Sequence, residues 1–149
     1  MASISVNSPP GAISGQSRSV WAGRILTGTF ALFMLGASIA PKLLGMDAAT
    51  GTLTGLGWPA SFALPIGLLE LAFLLLYLVP RTAVLGAVLM TALLGGALAT
   101  HLRVGSPLLS HTLFSIYLAL FMWGGLWLRT PALRALLPLH IEGGHRHGE

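Results

Sequence analysis

The fold is decided by residues 60–105, which read ASFALPIGLLELAFLLLYLVPRTAVLGAVLMTALLGGALATHLRVG. Two apolar runs lie on either side of Pro80-Arg81. Each run is close to the roughly 20 helical residues that cross a hydrocarbon layer about 30 Å thick. Because the connection between them is so short, the two runs must form antiparallel neighbours. The stretch therefore predicts a helical hairpin in a membrane.

The rest of the chain repeats this pattern. The four predicted spans are residues 20–40, 60–79, 82–100 and 108–128 of the 149. The chain is 54% hydrophobic and only 8% charged, and its mean hydropathy of +0.82 is too high for a soluble domain of this size. Lipid offers backbone groups no hydrogen-bond partner, and the runs lack the alternation of a barrel strand. We expect an all-α fold, a four-helix transmembrane bundle in contact with the lipid bilayer.

Polar segments flank this membrane domain, which we place at residues 20–138. Residues 1–19 are rich in Ser, Gly and Pro and are expected to form a flexible arm, and residues 139–149 a flexible tail. The longest internal connection, residues 41–59, contains several glycines and is expected to form a loop or a short lid. We find no room for a separate soluble domain.

Positive charges are distributed unevenly between the two ends of the spans. Lys42 and Arg103 lie at one end. The other end holds Arg18, Arg24, Arg81, Arg129, Arg134 and Arg146. This asymmetry predicts a multi-pass protein of the cytoplasmic membrane with both termini in the cytoplasm. Because the net charge of +4 is scattered over span ends, no nucleic-acid partner is expected.

Glu70 lies near the middle of the second predicted span, where a carboxylate is costly unless it is protonated or paired. Arg24 is the expected partner, because its long side chain can reach toward the centre of its own span. Tyr77 shares a helical face with Glu70. A structural, paired Glu70 and a role in proton relay or ligand contact both stay open.

His101 lies at the end of the third predicted span and His111 near the start of the fourth. A hairpin between these spans brings the two histidines to one depth. Two imidazoles can hold a metal or haem iron, donate to a quinone oxygen or move protons. Their spacing specifies none of these, and a metal site normally shows a third ligand, so we predict no metal site and disfavour haem. Histidines that only satisfy loop carbonyls are the other open interpretation. His101 is expected about 15 Å above Glu70, as a second layer of one cavity.

The third predicted span also carries a stripe of small residues, which is explained by helix packing. Ala92, Gly96 and Thr100 recur at four-residue intervals on the third span, a stripe that lets another helix backbone approach closely. The candidate residues for ligand binding or proton relay are Glu70, Tyr77, His101, Arg103, His111, Arg24 and Lys42. Since the chain has no cysteine, it cannot carry thiol redox chemistry itself.

Three stretches are similar to the bacterial DoxX-like family: PRTAVLG at residues 80–86, GGALATHLRVG at residues 95–105 and HTLF at residues 111–114. Glu70-Leu71 and Trp127-Leu128-Arg129 agree with it, and the resemblance covers residues 20–138. It implies a four-helix protein of the cytoplasmic membrane. The family takes its name from a subunit associated with quinol and thiosulfate oxidation in archaea, and some relatives are linked to oxidative-stress complexes.

The first hypothesis is an accessory or ligand-binding subunit of a membrane redox assembly that holds a quinone-like molecule. The residues themselves specify no cofactor, so a quinone is the candidate and membrane redox proteins are the candidate partners. A small membrane enzyme that uses these His and Glu side chains as acid and base is the alternative. A transporter protomer is a third hypothesis. It requires a homo-oligomer, because four helices leave little room for a pore.

Overall fold

The computed structural model describes residues 12–137. Its helices are α1 (Ala12–Phe33), α2 (Ala40–Leu43), α3 (Asp47–Gly55), α4 (Ala63–Leu78), α5 (Ala83–Arg103), α6 (Phe114–Arg129) and α7 (Pro131–Leu136). Met34–Ile39 and Leu108–Thr112 form π-helical turns, and Ala60–Phe62 forms a 3-10 turn. Within the described range the chain contains no β-strand.

Four helical segments are long and apolar enough to cross a membrane. They are Arg18–Leu43, Ala60–Leu78, Ala83–Arg103 and Leu108–Arg129, and we call them the first to fourth spans. Large apolar side chains such as Leu32 and Leu120 point outward from the bundle. Such a surface is stable when lipid chains cover it. The predicted all-α, four-helix transmembrane bundle is confirmed.

The first span is longer than the sequence indicates. Helix α1 begins at Ala12, so residues 12–19, expected in a flexible arm, are helical. Residues 1–11 and the predicted tail at 139–149 lie outside the described residues. At its other end the span continues through the π-helical turn into α2, past Pro41. Pro41 comes just after the π-helical turn, where regular α-helical hydrogen bonding is already interrupted.

The connection expected as a loop at residues 41–59 is mostly helical. Helix α3 occupies Asp47–Gly55, and the positive φ angles fall outside it, at Gly45 (62°) and Gly57 (81°). These two glycines therefore mark the chain reversals before and after α3, whereas Gly51 and Gly55 lie within the helix. Glycine content alone did not separate the turns from the helix between them.

The second and third spans form the expected antiparallel hairpin. The Thr82 hydroxyl donates to the carbonyl of Leu76 at 2.8 Å and closes the turn. A Cβ atom on Gly86 would overlap the backbone of Tyr77. Only glycine allows α4 and α5 to approach this closely at the start of the hairpin.

Tyr77 joins three helices in the core. Its side chain is fully buried, and its hydroxyl donates to the carbonyl of Met122 on α6 at 2.9 Å. The Thr27 hydroxyl on α1 lies 3.2 Å from the same oxygen, and the Phe30 ring meets the Tyr77 ring edge to face at 5.6 Å between centroids. The guanidinium of Arg129 lies 4.9 Å from the ring centre. Tyr77 thus fixes α1, α4 and α6 to one another.

Candidate ligand-binding site

A cavity of about 680 Å³ lies between α3 and one end of the four spans. Its apolar wall includes Met34, Leu53, Trp58, Phe62, Ile66 and Phe114. Its polar wall includes Ser38, Lys42, Glu70, Thr100, His101 and His111. The Glu70 layer and the histidine layer therefore belong to one cavity, as expected from the sequence. Mostly apolar walls with a few converging polar groups are typical of a small-molecule site.

Glu70 forms an ion pair with Lys42. The Lys42 Nζ atom lies 2.9 Å from Glu70 Oε1 and 3.0 Å from Oε2. Both side chains are largely withdrawn from solvent, with exposed fractions of 15% for Lys42 and 9% for Glu70. The Ser38 hydroxyl donates to both carboxylate oxygens, at 3.1 and 3.0 Å. The ion pair with Lys42 and the hydrogen bonds from Ser38 offset the free-energy cost of burying the Glu70 carboxylate inside a membrane.

The prediction that Arg24 pairs with Glu70 is wrong. The Arg24 guanidinium lies 5.7 Å from the centre of the Trp21 ring, and its side chain is exposed outside the cavity. Lys42 takes its place because the first span continues beyond Pro41 and returns this lysine to the bundle. A span that ended at Pro41 would have left Lys42 in a loop. The hydropathy pattern therefore placed Glu70 correctly within the second span. It did not identify Lys42 as the partner of Glu70.

Ser38 is the functional candidate that sequence reasoning missed. It lies four residues before Lys42, and a continuous helical segment places such residues on one face. Lys42 Nζ also donates to the Ser38 hydroxyl, so that Ser38, Lys42 and Glu70 form one connected cluster on the cavity wall. Lys42 Nζ thus lies within hydrogen-bond distance of both the Ser38 hydroxyl and the Glu70 carboxylate.

His101 and His111 face each other across the third and fourth spans. Their ring centres are 6.0 Å apart and the ring planes are tilted by 53°. His101 lies in the last turn of α5, and His111 lies in the π-helical turn that opens the fourth span. His101 Nδ1 is 3.0 Å from the Ser106 hydroxyl, and His111 Nδ1 is 2.8 Å from the Ser110 hydroxyl. Serines therefore fix the orientation of both rings.

Both π-helical turns contribute a polar residue to the cavity. The first turn contains Ser38 and the second contains His111. A π-helical turn holds an extra residue and redirects the side chains around it, and such turns are frequent at functional sites. Neither turn has a hydropathy signature, so neither could be read from the sequence.

The small-residue stripe has a different role from the one expected. Ala92, Gly96 and Thr100 line the cavity. A Cβ atom on Gly96 would meet nothing within 4 Å, so no helix backbone among residues 12–137 packs against it. The prediction of close helix packing at Gly96 is wrong, because the space that the small side chains leave is part of the cavity instead.

The remaining candidates lie outside the cavity lining. Tyr77 is part of the core described above. Arg103 Nη2 donates to the carbonyl of Leu56 at 2.7 Å and ties the end of α5 to the residues after α3. Arg103 therefore holds in place the segment whose residues Leu53 and Leu56 cover the cavity. In the described part of the chain, no group of three or more His, Asp or Glu side chains could hold a metal ion.

Three comparisons with known proteins were made to identify the family of this chain. Comparisons with curated proteins and with solved structures found no match. The DoxX-like family matches residues 25–125, a range that contains Ser38, Lys42, Glu70 and both cavity histidines. Four apolar helices of membrane-crossing length agree with that match. The chain therefore belongs to the DoxX-like family and is a multi-pass integral membrane protein.

Proposed function

We propose that this protein is an accessory subunit of a membrane redox assembly and that it binds a quinone-like, lipid-soluble molecule in its cavity. The observation that supports the proposal is the cavity itself, which joins the Ser38-Lys42-Glu70 cluster and the histidine pair through apolar walls. A volume of about 680 Å³ falls in the range of small-molecule sites.

The polar cluster favours a neutral carbonyl ligand. The Lys42-Glu70 pair carries no net charge, so it offers little attraction to an ion. Lys42 and Ser38 donate to Glu70, and Lys42 also donates to Ser38, so a quinone oxygen would accept from Lys42 or Ser38 in exchange for one of these hydrogen bonds. Aromatic side chains such as Trp58 and Phe62 can cover the flat ring, and the apolar wall can cover a tail. An amphipathic molecule with carbonyl groups satisfies both parts of this lining.

The accessory role follows from what the side chains can supply. The sequence has no cysteine, so electrons for a bound quinone would come from another carrier. We propose membrane redox proteins as partners. We also propose that the protein lies in the cytoplasmic membrane with both termini in the cytoplasm, because Lys and Arg are concentrated at the corresponding span ends.

Two glycines on α5 provide a matched test. Gly96 lines the cavity and neighbouring Gly95 does not, while a Cβ atom on either would meet nothing within 4 Å. Gly96→Leu should place an apolar side chain in the cavity and Gly95→Leu should not. We expect wild type and Gly95→Leu in nanodiscs to bind a short-chain ubiquinone or menaquinone analogue, and Gly96→Leu to lose at least tenfold in affinity. Absence of binding to wild type, or equal binding by both variants, would contradict the proposal.

An enzyme that uses acid–base chemistry on an apolar substrate is the second candidate function. The observation that favours it is the presence of His101, His111 and Glu70 on one cavity wall. Histidine and carboxylate side chains are common general acids and bases. Chemical conversion of a ligand that wild type binds, lost in His101→Ala while binding persists, would favour the enzyme over the accessory subunit.

A further inference from the structure

Although the sequence predicts no metal site here, we propose that His101 and His111 bind a single monovalent copper ion between their Nε2 atoms, at the histidine end of the cavity. This inference does not depend on the ligand that fills the rest of the cavity. It rests on the distance between the two rings, on the partners of their Nδ1 atoms and on the charge of the donor set.

The ring separation suits one shared ion. A bond from a metal to an imidazole nitrogen is about 2 Å long and the ring centre lies about 1.1 Å beyond that nitrogen. Two rings on one ion therefore have centres roughly 5 Å apart at a tetrahedral angle and roughly 6 Å apart when the ligands are nearly collinear. The observed separation of 6.0 Å therefore leaves room for one ion in the nearly collinear arrangement.

The serine partners leave the correct nitrogen for the metal. Ser106 and Ser110 occupy the Nδ1 atoms of His101 and His111, respectively. A serine oxygen can accept a hydrogen bond from Nδ1–H, and this tautomer places the ring lone pair on Nε2. Metal-binding histidines usually have such a partner on the other ring nitrogen, which fixes both the tautomer and the orientation of the ring.

The donor set selects the ion. No third His, Asp or Glu of the described residues joins the pair in a metal-binding group, and the Glu70 oxygens are bound by Lys42 and Ser38. Zinc normally takes four ligands and calcium takes six or more oxygens. Imidazole suits copper as well as zinc, iron and nickel. Of these ions, monovalent copper is the one that, as a d¹⁰ ion of low charge, commonly forms two-coordinate, nearly linear complexes with neutral ligands. Two histidines without a carboxylate therefore favour copper in its monovalent state.

The test uses the full chain in detergent. His140, His145 and His147 of the tail, outside the described residues, can also pick up metal, so all three are replaced by alanine in every sample. Copper(I) is supplied with ascorbate against a chromogenic copper(I) chelator, and X-ray absorption reports the number of nitrogen neighbours. We expect one bound copper per chain with two nitrogen ligands.

The variants separate this site from adventitious binding. His101→Ala and His111→Ala should each abolish the bound copper, and Ser106→Ala and Ser110→Ala should weaken affinity by about 10- to 100-fold. Copper that persists in both histidine variants, or no copper in the parent protein, would overturn the proposal. Zinc retained as tightly as copper would overturn the two-coordinate assignment. Quinone binding is measured separately with Gly96→Leu, so failure of one proposal leaves the other intact.

Discussion

Lys42 Nζ lies 2.9 Å from Glu70 Oε1, although Pro41 comes directly before the lysine and 28 residues separate it from the glutamate. The pair connects the end of the first span to the middle of the second. Since both side chains are largely withdrawn from solvent, each depends on the other.

Replacement of one member of this ion pair should destabilise the bundle more than replacement of both. Lys42→Met leaves the Glu70 carboxylate without its counter-ion, and removal of one partner of a buried pair costs about 3–5 kcal/mol. Lys42→Met combined with Glu70→Gln removes both charges and should recover most of that loss. The midpoint of thermal unfolding in detergent measures the effect. Equal stability of the single variant and the wild type would show that the pair is not formed.

Tyr77→Phe should lower stability without a change in ligand affinity. The substitution keeps the edge-to-face contact with Phe30 but removes the hydrogen bonds to Met122 and Thr27. A buried carbonyl left without its donor costs about 1–3 kcal/mol. Tyr117→Phe on the exposed surface is the control and should change neither quantity. A large loss of ligand affinity in Tyr77→Phe would show instead that Tyr77 takes part in ligand binding.

Arg103→Gln should loosen the segment that covers the cavity. A charged guanidinium donating to the Leu56 carbonyl at 2.7 Å is a strong hydrogen bond, and its loss frees the residues between α3 and the second span. Amide hydrogen exchange of residues 53–62 should become faster, while exchange in the core of α5 stays unchanged. Arg103→Lys should give an intermediate rate. Unchanged exchange in Arg103→Gln would mean that the segment is held by its apolar contacts alone.

The proposed orientation can be tested with single cysteines, because the natural sequence has none. Thr54 on α3 and Ala135 on α7 are both exposed and belong to opposite ends of the bundle. In intact cells, a membrane-impermeant maleimide should label Thr54→Cys and should reach Ala135→Cys only after permeabilisation. The reverse pattern would place both termini outside the cytoplasm.

Hydropathy and the short Pro80-Arg81 turn were sufficient to predict four spans and the central hairpin. The next hairpin, between the third and fourth spans, brought His101 and His111 together, because antiparallel neighbours place the end of one helix beside the start of the next. What could not be predicted depends on side chains far apart in the sequence. The partner of Glu70 was missed because the first span does not stop at Pro41. The position of the small-residue stripe on the cavity wall was missed because small residues predict close packing and open space equally well.

The π-helical turn at Met34–Ile39 fixes the rotational phase of everything that follows it in the first span. Each residue of an α-helix advances the chain by about 100° around the axis, and a π-helical turn accommodates one residue more than an α-helical turn. Deletion of a single residue such as Gly36 would leave the hydropathy of the span unchanged. Because it would remove the extra residue, the turn would become α-helical and Lys42 would keep its orientation toward Glu70. Deletion of a residue from an α-helical part of the span has no such outlet and would rotate Lys42 by about 100° relative to Glu70, so the π-helical turn is a place where the span can lose one residue without loss of the ion pair.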